Sequence, residues 1–225
     1  IWHKNGPDMT LPAPALAPPK AVVFDFGGVL FNWQPRVLIQ SVLPHLAGND
    51  EQALSLADRV FKSFVPGSEW SEFDRGALSW DDTREQIAAR TGIAAADVHT
   101  LMSAIPPHLV PMAATVSWLE ELAAVGTRLH FLSNMPRPYA EFLTREHAFL
   151  KHFRSGVFSC DVLQVKPNAD IFETAAAQFG IEPEAMVFID DNVHNVKTAR
   201  TLGWRAVQFV DAAQCRAELA QRGWL

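Results

Sequence analysis

Cysteine is nearly absent from this chain, and the two residues present, Cys160 and Cys215, show no CxxC spacing. Neither a disulfide framework nor a zinc site is therefore indicated, and reduced thiols in a cytoplasmic protein are expected. Dense runs of Lys and Arg are also missing, and the formal net charge is -6. A nucleic-acid binder needs a positive surface to replace counterions, so no nucleic-acid partner is expected. The modest cluster Arg145, Lys151, His152 and Arg154 reads as a solvated face. No apolar run reaches the ~18 residues of a membrane span. The first residues do not show a basic region followed by an apolar stretch, so neither a membrane partner nor export is expected. The eight histidines form no HExxH or other paired metal spacing.

What is present is ample apolar material: 48% of the 225 residues are hydrophobic, enough for a substantial core. Residues 1–19 carry Pro7, Pro12, Pro14, Pro18 and Pro19 and read as a flexible or extended tail. Ala21 to Phe24 is a short apolar run bounded by prolines before it and Gly27-Gly28 after it, which predicts a buried strand. Similar runs recur at Thr127 to Leu132, Ala185 to Ile189 and Arg205 to Val210, with a weaker one at Gly156 to Ser159. Helical patterns lie between them, closed by Gly126, Gly180 and Gly203 as C-terminal caps. Strands alternating with helices imply a Rossmann-like α/β core with a central parallel sheet flanked by helices. Residues 34–106 break the alternation with successive helical patterns at Val37 to Leu46, Gln52 to Phe64, Trp80 to Arg90 and Ala95 to Ala104. The expected organisation is a core of residues 20–33 and 107–225, with 34–106 inserted as a helical cap, hinged near Asn32 to Pro35 and Pro106 to Pro111.

Three strand ends carry polar groups in the same sense: Asp25, then Ser133-Asn134, then Asp190-Asp191. A parallel sheet brings them to one edge, where ligands of such sheets bind. Carboxylates gathered ~4 Å apart repel by on the order of 4 kcal/mol at an effective dielectric of 20. Either a cation sits there or one acid is protonated. An oxygen-only ligand set favours hard Mg²⁺, which binds beside one or two carboxylates and a substrate phosphate. Lys166 precedes a helical pattern for which Asn168 could serve as N-cap, and its ammonium can neutralise Asp25 and a phosphoryl group. The backbone N–H groups that follow Asp25, around Gly27 and Gly28, and the Ser133 hydroxyl can receive phosphoryl oxygens. In the cap pattern, Trp70, Glu72, Phe73, Asp74 and Arg75 before Gly76, with Trp33 and Arg36 near the first hinge, could face a substrate. Packing is the favoured reading of the aromatics, and Arg36 and Arg75 are candidate anion binders.

Four segments in this order resemble the motifs of the haloacid dehalogenase-like hydrolase superfamily: Phe24-Asp25-Phe26-Gly27-Gly28-Val29-Leu30, Leu132-Ser133-Asn134, Lys166-Pro167 through Phe172, and Phe188-Ile189-Asp190-Asp191-Asn192 through Asn195. The helical insert resembles the cap of the branch containing many small phosphatases. The resemblance implies Mg²⁺-dependent removal of phosphate from a small phosphorylated metabolite through an aspartyl-phosphate on Asp25. It places the metal on Asp25, the Gly27 carbonyl and Asp191, with Asp190 acting through a metal-bound water. Ser133 and Lys166, with Asn134 beside them, hold the phosphoryl oxygens, and Asn195 supports the metal loop.

One position departs from the pattern. Most phosphatases of the superfamily carry an acid two residues after the nucleophile, and here that residue is Gly27. A similar glycine occurs in a subgroup with sugar-phosphate phosphatases acting on an anomeric phosphate, so a sugar 1-phosphate is a reasonable first substrate. Two alternatives stand beside this reading: a metal-independent 2-haloacid dehalogenase, which needs no acid for halide departure, and a non-catalytic protein binding Mg²⁺ and a phosphometabolite. If the missing acid limits turnover, Gly27→Asp speeds hydrolysis of esters with poor leaving groups, by up to the ~10²–10⁴-fold of general acid catalysis. Steady-state rates on an alkyl phosphate check this, and no gain would point to an acid elsewhere.

Overall fold

The computed structural model describes residues 18–225. The proline-rich stretch 1–19 lies outside these residues except for Pro18 and Pro19. The first strand, β1 (Ala21–Phe24), is followed by helices α1 (Pro35–Val42), α2 (Asp50–Phe61), α3 (Glu69–Asp74), α4 (Trp80–Thr91) and α5 (Ala95–His108). Alternation then resumes through α6 (Ala113–Ala124), β2 (Arg128–Ser133), α7 (Arg137–Glu146), β3 (Ser155–Phe158), α8 (Ser159–Val162) and α9 (Ala169–Phe179). The chain closes with β4 (Met186–Asp190), α10 (Val193–Thr201), β5 (Arg205–Gln208) and α11 (Ala212–Gln221).

The strands form one parallel sheet in the order β3-β2-β1-β4-β5. Every residue of β1 and β4 is buried, as expected for central strands covered on both faces. Side-chain alternation divides the core in two. Val22, Phe24, Val187 and Ile189 join the residues of α6, α7 and α11. Ala21, Val23, Met186 and Phe188 join Ile171, Phe172 and Ala175 of α9 and Val196 and Ala199 of α10.

Two features of the α1–α5 segment differ from the expected patterns. Helix α3 is missing from them because it is six residues long, although Ser68 caps it through the Ser71 N–H and Glu69 and Glu72 sit in its first turn. Helix α5 runs past the pattern's end at Ala104, through Pro106 and Pro107. A proline at 106 leaves the Met102 carbonyl without its intrahelical donor. That carbonyl accepts instead from the Tyr139 hydroxyl at 2.8 Å, so α7 satisfies the helix.

On β2, His130 is 1% exposed, bonds Ser155 Oγ through Nδ1 at 2.9 Å and stacks on Phe179 at 4.3 Å between ring centroids. Burial, with Arg154 and Arg128 adding to it, pushes the imidazole down to about 4. The unfolded chain then binds the extra proton first, near pH 6.5. Stability contributed by neutral His130 is complete above that pH and is lost as pH falls toward 4, by on the order of 2 to 3 kcal/mol. Thermal melts of wild type and His130→Gln across pH 7 to 4 check this, the variant losing this part of the slope.

Candidate active site

The mouth of the site is built from the carboxyl ends of β1, β2 and β4. Asp25 follows β1 directly, and its N–H continues the ladder by donating to the Ile189 carbonyl at 2.9 Å. Asp25 Oδ1 accepts from the Phe26 N–H at 2.7 Å and from Lys166 Nζ at 2.9 Å. The next residues fold into a tight turn, the N–H groups of Leu30 and Phe31 both reaching the Phe26 carbonyl. Gly28 adopts φ +74°, and a Cβ there would lie 2.4 Å from Asp191 Oδ2. Only glycine lets this turn press against the loop after β4. A Cβ on Gly27, by contrast, meets nothing within 4 Å.

Lys166 is the most constrained charge in the cluster. Its ammonium donates to Asp190 Oδ2 at 2.6 Å and to the Leu132 carbonyl at 3.0 Å, besides Asp25. All three of its donors are thereby used. Burial works against the charged form, but Asp190 and Asp25 outweigh it and hold the pKa above the usual lysine value. Asn134 clamps the lysine backbone, donating from Nδ2 to the Lys166 carbonyl and accepting at Oδ1 from its N–H, both at 2.9 Å. Asn168 takes the N-cap position of α9 but makes no side-chain cap bond. The clamp from Asn134, rather than the expected cap, positions Lys166.

Asp190 is fully buried and also accepts from the Asn192 N–H at 2.8 Å and from Asn195 Nδ2 at 3.1 and 3.0 Å. Asp191 sits at the mouth of the cleft. Enclosure among protein atoms, reinforced by Asp190, pushes its carboxyl up to about 6. Burial pushes Asp25 up to about 8, against the opposing pull of Lys166 and with Asp190 and Asp191 adding to the rise. Ser133 is 1% exposed, and its Oγ has no hydrogen-bond partner among the described residues.

Asp25, Gly27, Asn134, Lys166, Asp191 and Asn195 line one cavity, while Gly28, Ser133 and Asp190 stand behind its surface. The rest of the lining is largely apolar, formed by Trp33, Phe64, Trp70, Ile105, Leu109, Met135 and Tyr139, with one acid among them, Asp74. Trp70 both packs, edge-on to Phe61 at 4.7 Å, and faces the cavity. Arg36 is instead paired with Asp50 at 2.6 Å and Arg75 with Glu72, and neither lines the cavity. Their expected role as anion binders finds no support in this geometry. Tyr139, Met135, Ile105 and Leu109 were not legible as site residues, because apolar side chains carry no chemical pattern and only tertiary packing assembles them. Asp74 was legible only as one of several polar residues before Gly76.

The fit of a metal ion can be judged from the donors. One carboxylate oxygen from each of Asp25, Asp190 and Asp191 lies within 4.8 Å of the others. All are hard oxygens, suited to Mg²⁺. Burial, with neighbouring carboxylates adding to it, pushes Asp25 and Asp191 up in spite of Lys166. A divalent cation fits this cluster.

Comparison with known proteins agrees with the geometry. A family model described as haloacid dehalogenase-like hydrolase matches residues 19–203. The chain is 27% identical over 203 residues to the sesquiterpene phosphatase astK of Aspergillus oryzae, covering 90% of this chain and 95% of that protein. It is also 27% identical over 197 residues to the drimenol cyclase drtB of Aspergillus calidoustus, but spans only 34% of that protein's length against 84% of its own. Among solved structures, a HAD family enzyme of Bacteroides thetaiotaomicron in complex with magnesium and inorganic phosphate aligns with a TM-score of 0.67 at 21% identity, covering 87% of this chain and 98% of that one.

If the acidic cluster takes Mg²⁺, the ion stabilises the folded chain by mass action, about 2 to 3 kcal/mol at a hundred times its dissociation constant. Differential scanning fluorimetry is expected to show melting rise with Mg²⁺ in wild type and respond weakly in Asp191→Asn. In EDTA the variant is expected to melt no lower than wild type, since it removes a repulsive charge.

Proposed function

Because the chain belongs to the haloacid dehalogenase-like hydrolases, we propose that it removes phosphate from a small phosphate monoester whose organic part is apolar, by nucleophilic attack of Asp25 on phosphorus. The observation that carries this reading is the pairing of a charged floor, Asp25 beside Lys166 and Asp191, with the apolar wall of Trp33, Phe64, Trp70, Ile105 and Leu109 in one cavity. The floor suits a phosphoryl dianion. Apart from Asp74 and the Tyr139 hydroxyl, which already donates to the Met102 carbonyl, the wall is hydrocarbon, which favours an apolar alcohol over the sugar 1-phosphate considered from the sequence. The likeness to a protein named as a sesquiterpene phosphatase supports the same direction.

In this reading the helices α1–α5 act as a cap that closes the cavity and excludes water while Asp25 reacts. Lys166 opposes the burial that pushes Asp25 up and screens the incoming dianion. The unpartnered Ser133 hydroxyl and the N–H groups around Gly27 and Gly28 receive phosphoryl oxygens as negative charge moves onto them. Asn134 keeps the lysine in place, and Asn195 keeps Asp190 oriented toward it. Asp25, the Gly27 carbonyl and Asp191, with Asp190 behind them, would hold Mg²⁺, which would supply the positive charge that lets the dianion approach the acidic cluster.

Purified protein with Mg²⁺ tests this on isoprenoid and alkyl monophosphates, sugar 1-phosphates and L-2-chloropropionate. Phosphate release is expected with kcat/KM for the apolar esters at least about tenfold above that for the sugar esters, the difference a few buried methylenes supply. Asp25→Asn is expected to abolish it. Release that survives EDTA or the Asp25→Asn change, or halide release from chloropropionate instead, would overturn the proposal.

A further inference from the structure

We propose that Asp74, on the short helix α3, is the general acid and base of this site, taking the place of the acid that Gly27 lacks. This rests on the phosphatase reading above. The cavity is lined by five titratable side chains, Asp25, Asp74, Tyr139, Lys166 and Asp191. Four of them are already engaged. Asp25 is the attacking group, Asp191 belongs to the acidic cluster, all three Lys166 donors are used, and the Tyr139 hydroxyl donates to the Met102 carbonyl at 2.8 Å. Asp74 is different: its residue is 5% exposed, it faces the cavity, and no hydrogen bond or ion pair holds its carboxyl among the described residues.

Its backbone, in contrast, is fixed to the core. The buried Ser159 hydroxyl donates to the Asp74 carbonyl at 2.5 Å and accepts from the Met135 N–H at 2.8 Å, so α3 is tied to the loop after β2. Two residues on, Gly76 has φ +80°, and a Cβ there would stand 3.0 Å from the Cys160 carbonyl. The helix end is thus pressed onto α8, with Asp74 lining the same cavity as Asp25 and Lys166. Asp74 at the end of α3 and Asp25 after β1 line the same cavity, so an ester seated on Asp25 carries its leaving oxygen into the enclosure that Asp74 faces. Burial, with Asp25 adding and Lys166 opposing, holds the Asp74 carboxyl well above the usual range, the direction a general acid requires.

The reaction balances. As the Asp25 oxygen bonds phosphorus and the bond from phosphorus to the ester oxygen breaks, the Asp74 proton passes to that oxygen and the alcohol leaves neutral. Water then attacks the aspartyl-phosphate phosphorus, gives its proton to the Asp74 carboxylate, and releases phosphate as the bond to Asp25 breaks.

The test compares esters of graded leaving-group acidity, from octyl phosphate to para-nitrophenyl phosphate, in wild type, Asp74→Asn and Asp74→Asn/Gly27→Asp. Wild type is expected to depend only weakly on the leaving group. Asp74→Asn is expected to lower kcat for octyl phosphate on the order of 10²-fold or more and for the nitrophenyl ester far less, with the added Gly27→Asp recovering part of the loss. A steep leaving-group dependence already in wild type, or equal falls for both esters in Asp74→Asn, would overturn the assignment, and the wild-type slope decides it even if the variant folds poorly. Absence of phosphate release from every ester in wild type would instead overturn the phosphatase reading on which it rests.

Discussion

One buried ammonium holds the site together. Lys166 Nζ reaches the carboxylates after β1 and at the end of β4 and the carbonyl of Leu132 in β2, so a single charge cross-links three adjacent strands at their carboxyl edge. Burying an ion costs several kcal/mol unless its donors are matched and its charge is countered. Here every donor is taken and two carboxylates face it. The same arrangement explains why Asp190, with both oxygens occupied by Lys166, Asn192 and Asn195, cannot move freely. Removing either partner would leave a buried charge uncompensated, so the floor of the cleft holds together as a unit.

The remaining negative charge gives the floor its character. Asp25 and Asp191 stay pushed up in spite of the lysine, which makes the cluster receptive to a hard cation and, through it, to an anion. Low dielectric strengthens both effects. The apolar wall supplies that low dielectric while giving a hydrocarbon group somewhere to be buried.

Much of this was readable in the chain before folding, for physical reasons. The strand cores are continuous apolar runs, their helices end in glycine, and parallel strands deliver their terminal residues to one edge; Asp25, Ser133 and Asp190-Asp191 follow from that geometry, and Lys166 from its place before a helical pattern. Tertiary exchange was not readable. The prolines at 106 and 107 argue for a helix end, yet α5 continues because Tyr139, more than thirty residues later, takes the orphaned Met102 carbonyl. Asn168 looks like a cap, but the Lys166 backbone is held by Asn134, its partner across thirty-two residues. Arg36 and Arg75 look available until their carboxylate neighbours, Asp50 and Glu72, are placed.

Gly27 is the position where local pattern and whole site are reconciled. A side chain would fit there, since a Cβ meets nothing within 4 Å, so the glycine is not imposed by crowding. A carboxylate at that point would, however, be a fourth negative group beside Asp25, Asp190 and Asp191, and the cluster already exceeds what Lys166 offsets. An acid on α3, among the apolar lining residues, is instead held well above the usual carboxylate range, chiefly by burial. The close approach of the turn at Gly27 and Gly28 to Asp191 belongs to Gly28, where a Cβ would lie 2.4 Å from Asp191 Oδ2. The cost is that proton transfer depends on α3 being held in register with the core, which is the task of the Ser159 hydroxyl and of the close contact at Gly76.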